Sequence, residues 1–145
     1  MPDITRKTGL SVGAIYRYFA SKDEIVKAIC AEGTQALPAE LTAPAIRTFL
    51  DSMQRLSKRD GHARLVAQIY AEASLSDDLA ALVRGQLDEL RTKIAGLLID
   101  REEEDARRIS GAFVALCQGY SQQMAVKNDV DLDDAVAALR WLIRS

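Results

Sequence analysis

Apolar residues recur every three or four positions along almost the whole chain, which is the period of a helix rather than the alternation of a strand. Helical residues run to Thr8, where Gly9 is a natural stop, and a second helix is predicted from Ser11 as N-cap through Phe19. Ser21-Lys22-Asp23-Glu24 reads as a capping box, in which Ser21 caps and Glu24 reaches back. The helix it opens carries Ile25, Ala28 and Ile29 on one face and fades between Gly33 and Leu37. Pro38 and Pro44 bracket a linker, which divides the chain into a head with its linking helix (1–37) and a larger helical domain (38–145).

Beyond the linker, Ile46, Phe49, Leu50, Met53 and Leu56 mark an amphipathic helix ending before Asp60-Gly61, and Leu65, Val66, Ile69 and Tyr70 mark another. Ser76-Asp77-Asp78 starts a helix lined from Leu79 to Leu98. The acidic run Glu102 to Asp105 opens a long one carrying Ile109, Phe113, Leu116, Tyr120 and Met124. Asn128-Asp129 interrupts it, and Asp133-Asp134 opens a last helix that ends with Arg140 and Arg144 near its negative pole. The sum is about eight helices. The predicted class is all-α, an N-terminal helix-turn-helix joined to a C-terminal helical bundle.

Composition narrows the function. The 145 residues include 3 Pro and 8 Gly, too few for a fibrous or low-complexity chain. Neither a membrane span nor an export signal is readable, and Cys30 and Cys117 sit in ordinary helical patterns, so a reducing cytoplasm is expected. One histidine, His62, and two distant cysteines do not make a zinc site, and no cofactor is implied. No phosphate loop or nucleophile elbow is present, and Asp77-Asp78 and Asp133-Asp134 are explained by helix starts, so no enzyme is expected. His62 reads as an exposed or capping residue after Gly61, and Cys117 as an inert thiol in an apolar stripe.

The net charge of −2 conceals an asymmetry: residues 1–30 hold five basic and three acidic side chains, the remainder 14 basic and 18 acidic. In that basic head, Ile15 and Phe19 fall on one inward face with Ile4 and Leu10, while Val12, Gly13, Ala14, Tyr16, Arg17 and Tyr18 fall on the other. Small residues at the front of a helix let it sink into a major groove. Tyrosine hydroxyls reach phosphates, and Arg17 suits a phosphate or a guanine edge. Lys22 at the next helix start favours a phosphate. Spacing alone leaves open an ordinary helical corner.

The run Thr8-Gly9-Leu10-Ser11-Val12-Gly13-Ala14-Ile15-Tyr16-Arg17-Tyr18-Phe19-Ala20-Ser21-Lys22-Asp23-Glu24 closely resembles the helix-turn-helix signature of TetR-family bacterial transcriptional regulators. The downstream order of helices is similar to the family layout across nearly the whole chain. The resemblance implies that Ser11 to Phe19 is the recognition helix and that the helix from Ser21 links it to a ligand-binding bundle. Val12, Gly13, Ala14, Tyr16, Arg17, Tyr18 and Lys22 then match the DNA-contacting places, and Ile15 and Phe19 the buried ones. Relative to the family, the chain lacks the first helix of the DNA-binding head. The alternative reading is therefore a truncated helical dimerisation and ligand-binding module without DNA-binding activity.

The resemblance also implies a homodimeric repressor whose hold on double-stranded operator DNA is changed by a small-molecule effector, here largely apolar. Candidates for the pocket are Phe49, Met53, Ile69, Tyr70, Leu87, Leu90, Phe113, Cys117 and Tyr120, which at helical spacing read equally as core. The last two helices are the candidates for the dimer. Gly111, Ala115 and Gly119 form a small-residue stripe, and Leu132, Val136, Leu139 and Ile143 form a seam, with Trp141 and Leu142 widening it. A two-fold axis would set the recognition helices roughly 34–36 Å apart on a near-palindromic operator.

Overall fold

The computed structural model describes residues 22–126 and 129–144. Among them there are six helices and no strand: α1 (Lys22–Ala36), α2 (Ala43–Asp60), α3 (His62–Ala73), α4 (Asp77–Gly96), α5 (Glu103–Ala125) and α6 (Leu132–Arg144). The all-α class is therefore observed. The first two expected helices lie outside the described residues.

Local chemistry sets each boundary. Thr42 caps α2 by accepting a hydrogen bond from the Ala45 N–H at 3.3 Å. Pro44 sits in the first turn of α2. A proline is tolerated there because its missing N–H would have no helical partner anyway. At the other end Gly61 adopts φ 67°, a left-handed conformation that costs glycine nothing, and its N–H donates to the Ser57 carbonyl at 3.2 Å. The chain thus turns sharply and starts α3 on the next residue. Ser76 caps α4 through the Leu79 N–H at 3.3 Å, with Asp77 and Asp78 in the first turn. The Asp131 carboxylate accepts from the N–H groups of Asp133 and Asp134 at 2.9 and 3.1 Å and starts α6.

The main core lies between α2, α5 and α6, where Ile46, Leu50, Phe113 and Leu139 are fully buried, with Ile94 from α4 beside them. A second core gathers Val26 of α1 with Leu65, Ile69 and Ala73 of α3 and Leu79 and Val83 of α4. Leu98 lies just past the end of α4 and packs with Ala106 and Ile109 in a third cluster, under Leu142 and Ile143. On α1 the inward residues are Val26 and Ile29, while Ala28 is exposed. Of the expected face, Ile29 packs inward and Ala28 does not, because burial follows the larger side chains at Val26 and Ile29, and the side chain of Ile25 lies outside the described part. No helix of the described residues is long and apolar enough to cross a membrane.

Candidate functional site: a cavity in the bundle

Five helices surround a cavity of about 280 Å³. From α1 come Ile29 and Ala36, with Leu37 just beyond it; α2 gives Phe49, Met53 and Leu56, and α3 gives His62, Val66, Ala67, Ile69 and Tyr70. Val83, Gln86 and Leu90 line it from α4, and Phe113, Val114, Cys117, Gln118, Ser121 and Gln122 from α5. Helix α6 contributes nothing to this wall. The helix that leaves the head therefore forms part of the wall, and Gln86 ties it down by donating from Nε2 to Thr34 Oγ1 at 2.8 Å.

Two chemistries divide the wall. Most of it is aliphatic or aromatic. One edge is polar, because Gln118, Ser121 and Gln122 stand at i, i+3 and i+4 on α5 and so share a face. Gln118 donates from its amide nitrogen to the Tyr70 hydroxyl across the gap between α5 and α3. His62, the first residue of α3, is half-buried on the cavity wall with its Nδ1 shut off from solvent, not the exposed or capping residue that its position after Gly61 suggested. The Cys117 thiol is pushed up to about 12 by burial, so it stays protonated and neutral. Tyr120 is also raised, first by burial, then by the coulombic penalty of sharing this site with an ionised Cys117, and last by the charge of Asp134.

Of the residues expected to form a pocket, Phe49, Met53, Ile69, Tyr70, Leu90, Phe113 and Cys117 are brought together on this wall. Leu87 and Tyr120 are not, and pack as half-buried members of the neighbouring cores. The reason at Tyr120 is rotation. Three residues past Cys117 the helix has turned about 60° short of a full circle, which brings Tyr120 close enough to Asp134 of α6 to feel its charge. His62, Gln86, Gln118, Ser121 and Gln122 were missed. The legible signal was Gln118, Ser121 and Gln122, three polar residues on a face that also carries Phe113, Val114 and Cys117.

The expected dimer residues separate into two groups. Ala115 and Gly119 are exposed and Gly111 is half-buried, with open space where a side chain on either glycine would project. Leu139 is instead fully buried in its own chain's core, and Leu132, Val136 and Ile143 are half-buried against the same core. That seam is the inward face of α6. Its outward face shows Ala137, Ala138 and Trp141, the last 74% exposed.

The DNA-contacting candidates Val12, Gly13, Ala14, Tyr16, Arg17 and Tyr18 lie outside the described residues, as do the inward Ile15 and Phe19. Lys22 is the first residue of α1, but its side chain lies outside the described part.

This first stretch carries the sharpest comparison with known proteins. Residues 1–29 match the model of bacterial regulatory proteins of the tetR family. The chain is also similar to the nucleoid occlusion factor SlmA of Actinobacillus pleuropneumoniae. In serotypes 5b and 3 alike the identity is 24% over 140 residues, covering 86% of this chain and 69% of the relative. No solved structure matches. Through residues 1–29, then, the chain is similar to bacterial regulatory proteins of the tetR family.

Proposed function

We propose that the chain is a TetR-like transcriptional repressor of the cytoplasm, and not an enzyme. It binds near-palindromic double-stranded operator DNA as a homodimer and is controlled by a small molecule in the bundle cavity. One observation carries this reading: α1, whose first turns (22–29) belong to the matched stretch, supplies Ile29 and Ala36 to the cavity wall. A ligand that packs better against one setting of α1 biases the position of the head, and a difference in affinity between two settings is all that coupling requires. Val12, Gly13, Ala14, Tyr16, Arg17, Tyr18 and Lys22 are the proposed DNA contacts. The proposed dimer face is the stripe of Gly111, Ala115 and Gly119 with Trp141, flanked by the edges of Leu132, Val136 and Ile143.

Fluorescence anisotropy of a labelled duplex from upstream of the protein's own gene tests the DNA half. Tyr16→Ala and Lys22→Ala are each expected to weaken binding. Affinity should fall roughly 10³–10⁵-fold between about 50 and 200 mM salt if about six to ten phosphates are contacted. Binding that ignores both substitutions overturns the reading. Light scattering tests the dimer: Trp141→Glu, which places a charge on the outward face of α6, is expected to yield monomers.

A further inference from the structure

We infer that the cavity selects an uncharged, largely apolar molecule about two fused rings in size, bearing one neutral hydrogen-bonding group (a hydroxyl, ketone or amide) that settles on the α5 edge. The inference deepens the ligand-control reading above, and rests on it for the ligand's role but not for its binding.

Charge comes first. Among the described residues no Asp, Glu, Lys or Arg side chain borders the cavity, although these types make up 28% of the chain. An ionised ligand would leave water and meet no Asp, Glu, Lys or Arg among the described residues of the wall, and burying an unpaired ion is far more costly than burying a neutral polar group. The thiol of Cys117 supplies no charge either, since burial keeps it protonated. Size follows from volume. An apolar cavity of about 150 Å³ takes one benzene, and this one measures about 280 Å³.

Polarity gives the last element. The wall is not a pure hydrocarbon surface, for Gln118, Ser121 and Gln122 put two amides and a hydroxyl on a single strip of α5, with Tyr70 bonded to Gln118. Amides and hydroxyls both donate and accept hydrogen bonds. A ligand offering one hydroxyl or carbonyl therefore meets a complementary edge, while a bare hydrocarbon forgoes it.

The test is titration calorimetry of the whole chain at pH 8, with four probes of one shape. These are 2-naphthol, 2-naphthoate, 2-naphthylmethylammonium and naphthalene. The expected order is 2-naphthol tightest, naphthalene weaker, and both ions weaker than 2-naphthol by at least about tenfold. Ala67→Phe and Ser121→Phe, which place bulk on the wall from α3 and α5, should each abolish 2-naphthol binding. Melting curves without probe identify a variant that has lost its fold, and the other variant then decides. Gln118→Leu should weaken 2-naphthol and leave naphthalene unchanged. Either ion binding as tightly as 2-naphthol overturns the inference, as does binding of no probe or 2-naphthol binding that survives both Phe variants. DNA binding that ignores bound 2-naphthol would instead count against ligand control and leave the selectivity of the cavity standing.

Discussion

The seam between α2 and α6 and the space enclosed by α1 to α5 use the same aliphatic side chains, yet one is packed solid and the other is left open. In the seam Ile46, Leu50 and Leu139 have no exposed surface. Long-range polar ties close it. Gln54 donates to the Val130 carbonyl at 3.3 Å, Arg140 to the Leu41 carbonyl at 3.0 Å, and Lys58 faces Asp129 at 3.4 Å. Around the cavity the wall residues Met53, Val66, Ala67 and Leu90 are only half-buried, and α1 is held by Val26, Ile29 and the Thr34–Gln86 bond. Fully burying one such side chain contributes about 1.5–3 kcal/mol, so the cavity forgoes stability that the seam takes. An open cavity, walled in part by α1, is what the fold holds in exchange.

The largest expected effect breaks or keeps this contrast directly. Leu139→Ala removes a fully buried side chain from a close-packed seam and should cost about 2–5 kcal/mol. Met53→Ala removes a half-buried one that already borders empty space, and should cost about 1 kcal/mol. Urea unfolding followed by circular dichroism, at one fixed protein concentration, measures both. Equal costs would mean that the two regions are packed alike.

The next effect depends on pH and belongs to the cavity side. In the unfolded chain the Cys117 thiol titrates near its ordinary value of 9.0, and in the fold at about 12. Below pH 9 both states keep the proton and stability does not change with pH on its account. As pH rises from 9 toward 12 the unfolded state gives up its proton first, so stability falls by about 1.4 kcal/mol per unit. Tyr120, raised by burial and then by Cys117 and Asp134, adds a decline in the same direction that begins above its ordinary value of 10.0. Unfolding measured from pH 8 to 10.5 should therefore show a steeper loss in the natural chain than in Cys117→Ala. Identical slopes would mean that water reaches Cys117 and that this part of the wall is not dry.

The same contrast explains what could be read from the residues alone. Helix positions were legible because caps and periods are local: Ser76, Gly61 and the Asp131–Asp134 start act within four residues of themselves. The resemblance of Thr8 to Glu24 was legible for a similar reason, being one unbroken run. The cavity was half legible. Apolar residues on α2, α3, α4 and α5 had to face inward, but periodicity does not tell a filled interior from an open one, nor which neighbour a stripe meets. On α5 a rotation of about 60° separates Cys117, at the cavity, from Tyr120, near Asp134. On α6 the stripe of Leu132, Val136, Leu139 and Ile143 is spaced equally well for a partner and for the chain's own core, against which it packs.

A smaller effect concerns the entry to α4, a wall of the cavity. Ser76→Ala leaves the Leu79 N–H without its cap and should cost about 1 kcal/mol. Ser76→Asp, which keeps an acceptor and adds charge at the positive end of the helix, should recover it. Recovery by Asp but not by Gly would show that the side-chain bond, and not the extended backbone at that position, holds the start of α4.

The smallest effect tests whether charge helps to close the seam. Arg47 pairs with Asp133 and Lys58 with Asp129, and both pairs join α2 to the segment that starts α6. All four side chains are half or more exposed, so water and salt screen them, and exposed pairs typically contribute about 0–1 kcal/mol. Asp133→Asn and Lys58→Met should each change stability by less than about 1 kcal/mol, and the change should shrink as salt rises. Gln54→Leu, which removes the half-buried bond to the Val130 carbonyl, should cost more than either and be insensitive to salt. If the charged pairs instead outweigh Gln54 at high salt, the seam is held by its surface and not by the fully buried row of Ile46, Leu50 and Leu139, and the contrast with the cavity then rests on electrostatics rather than packing.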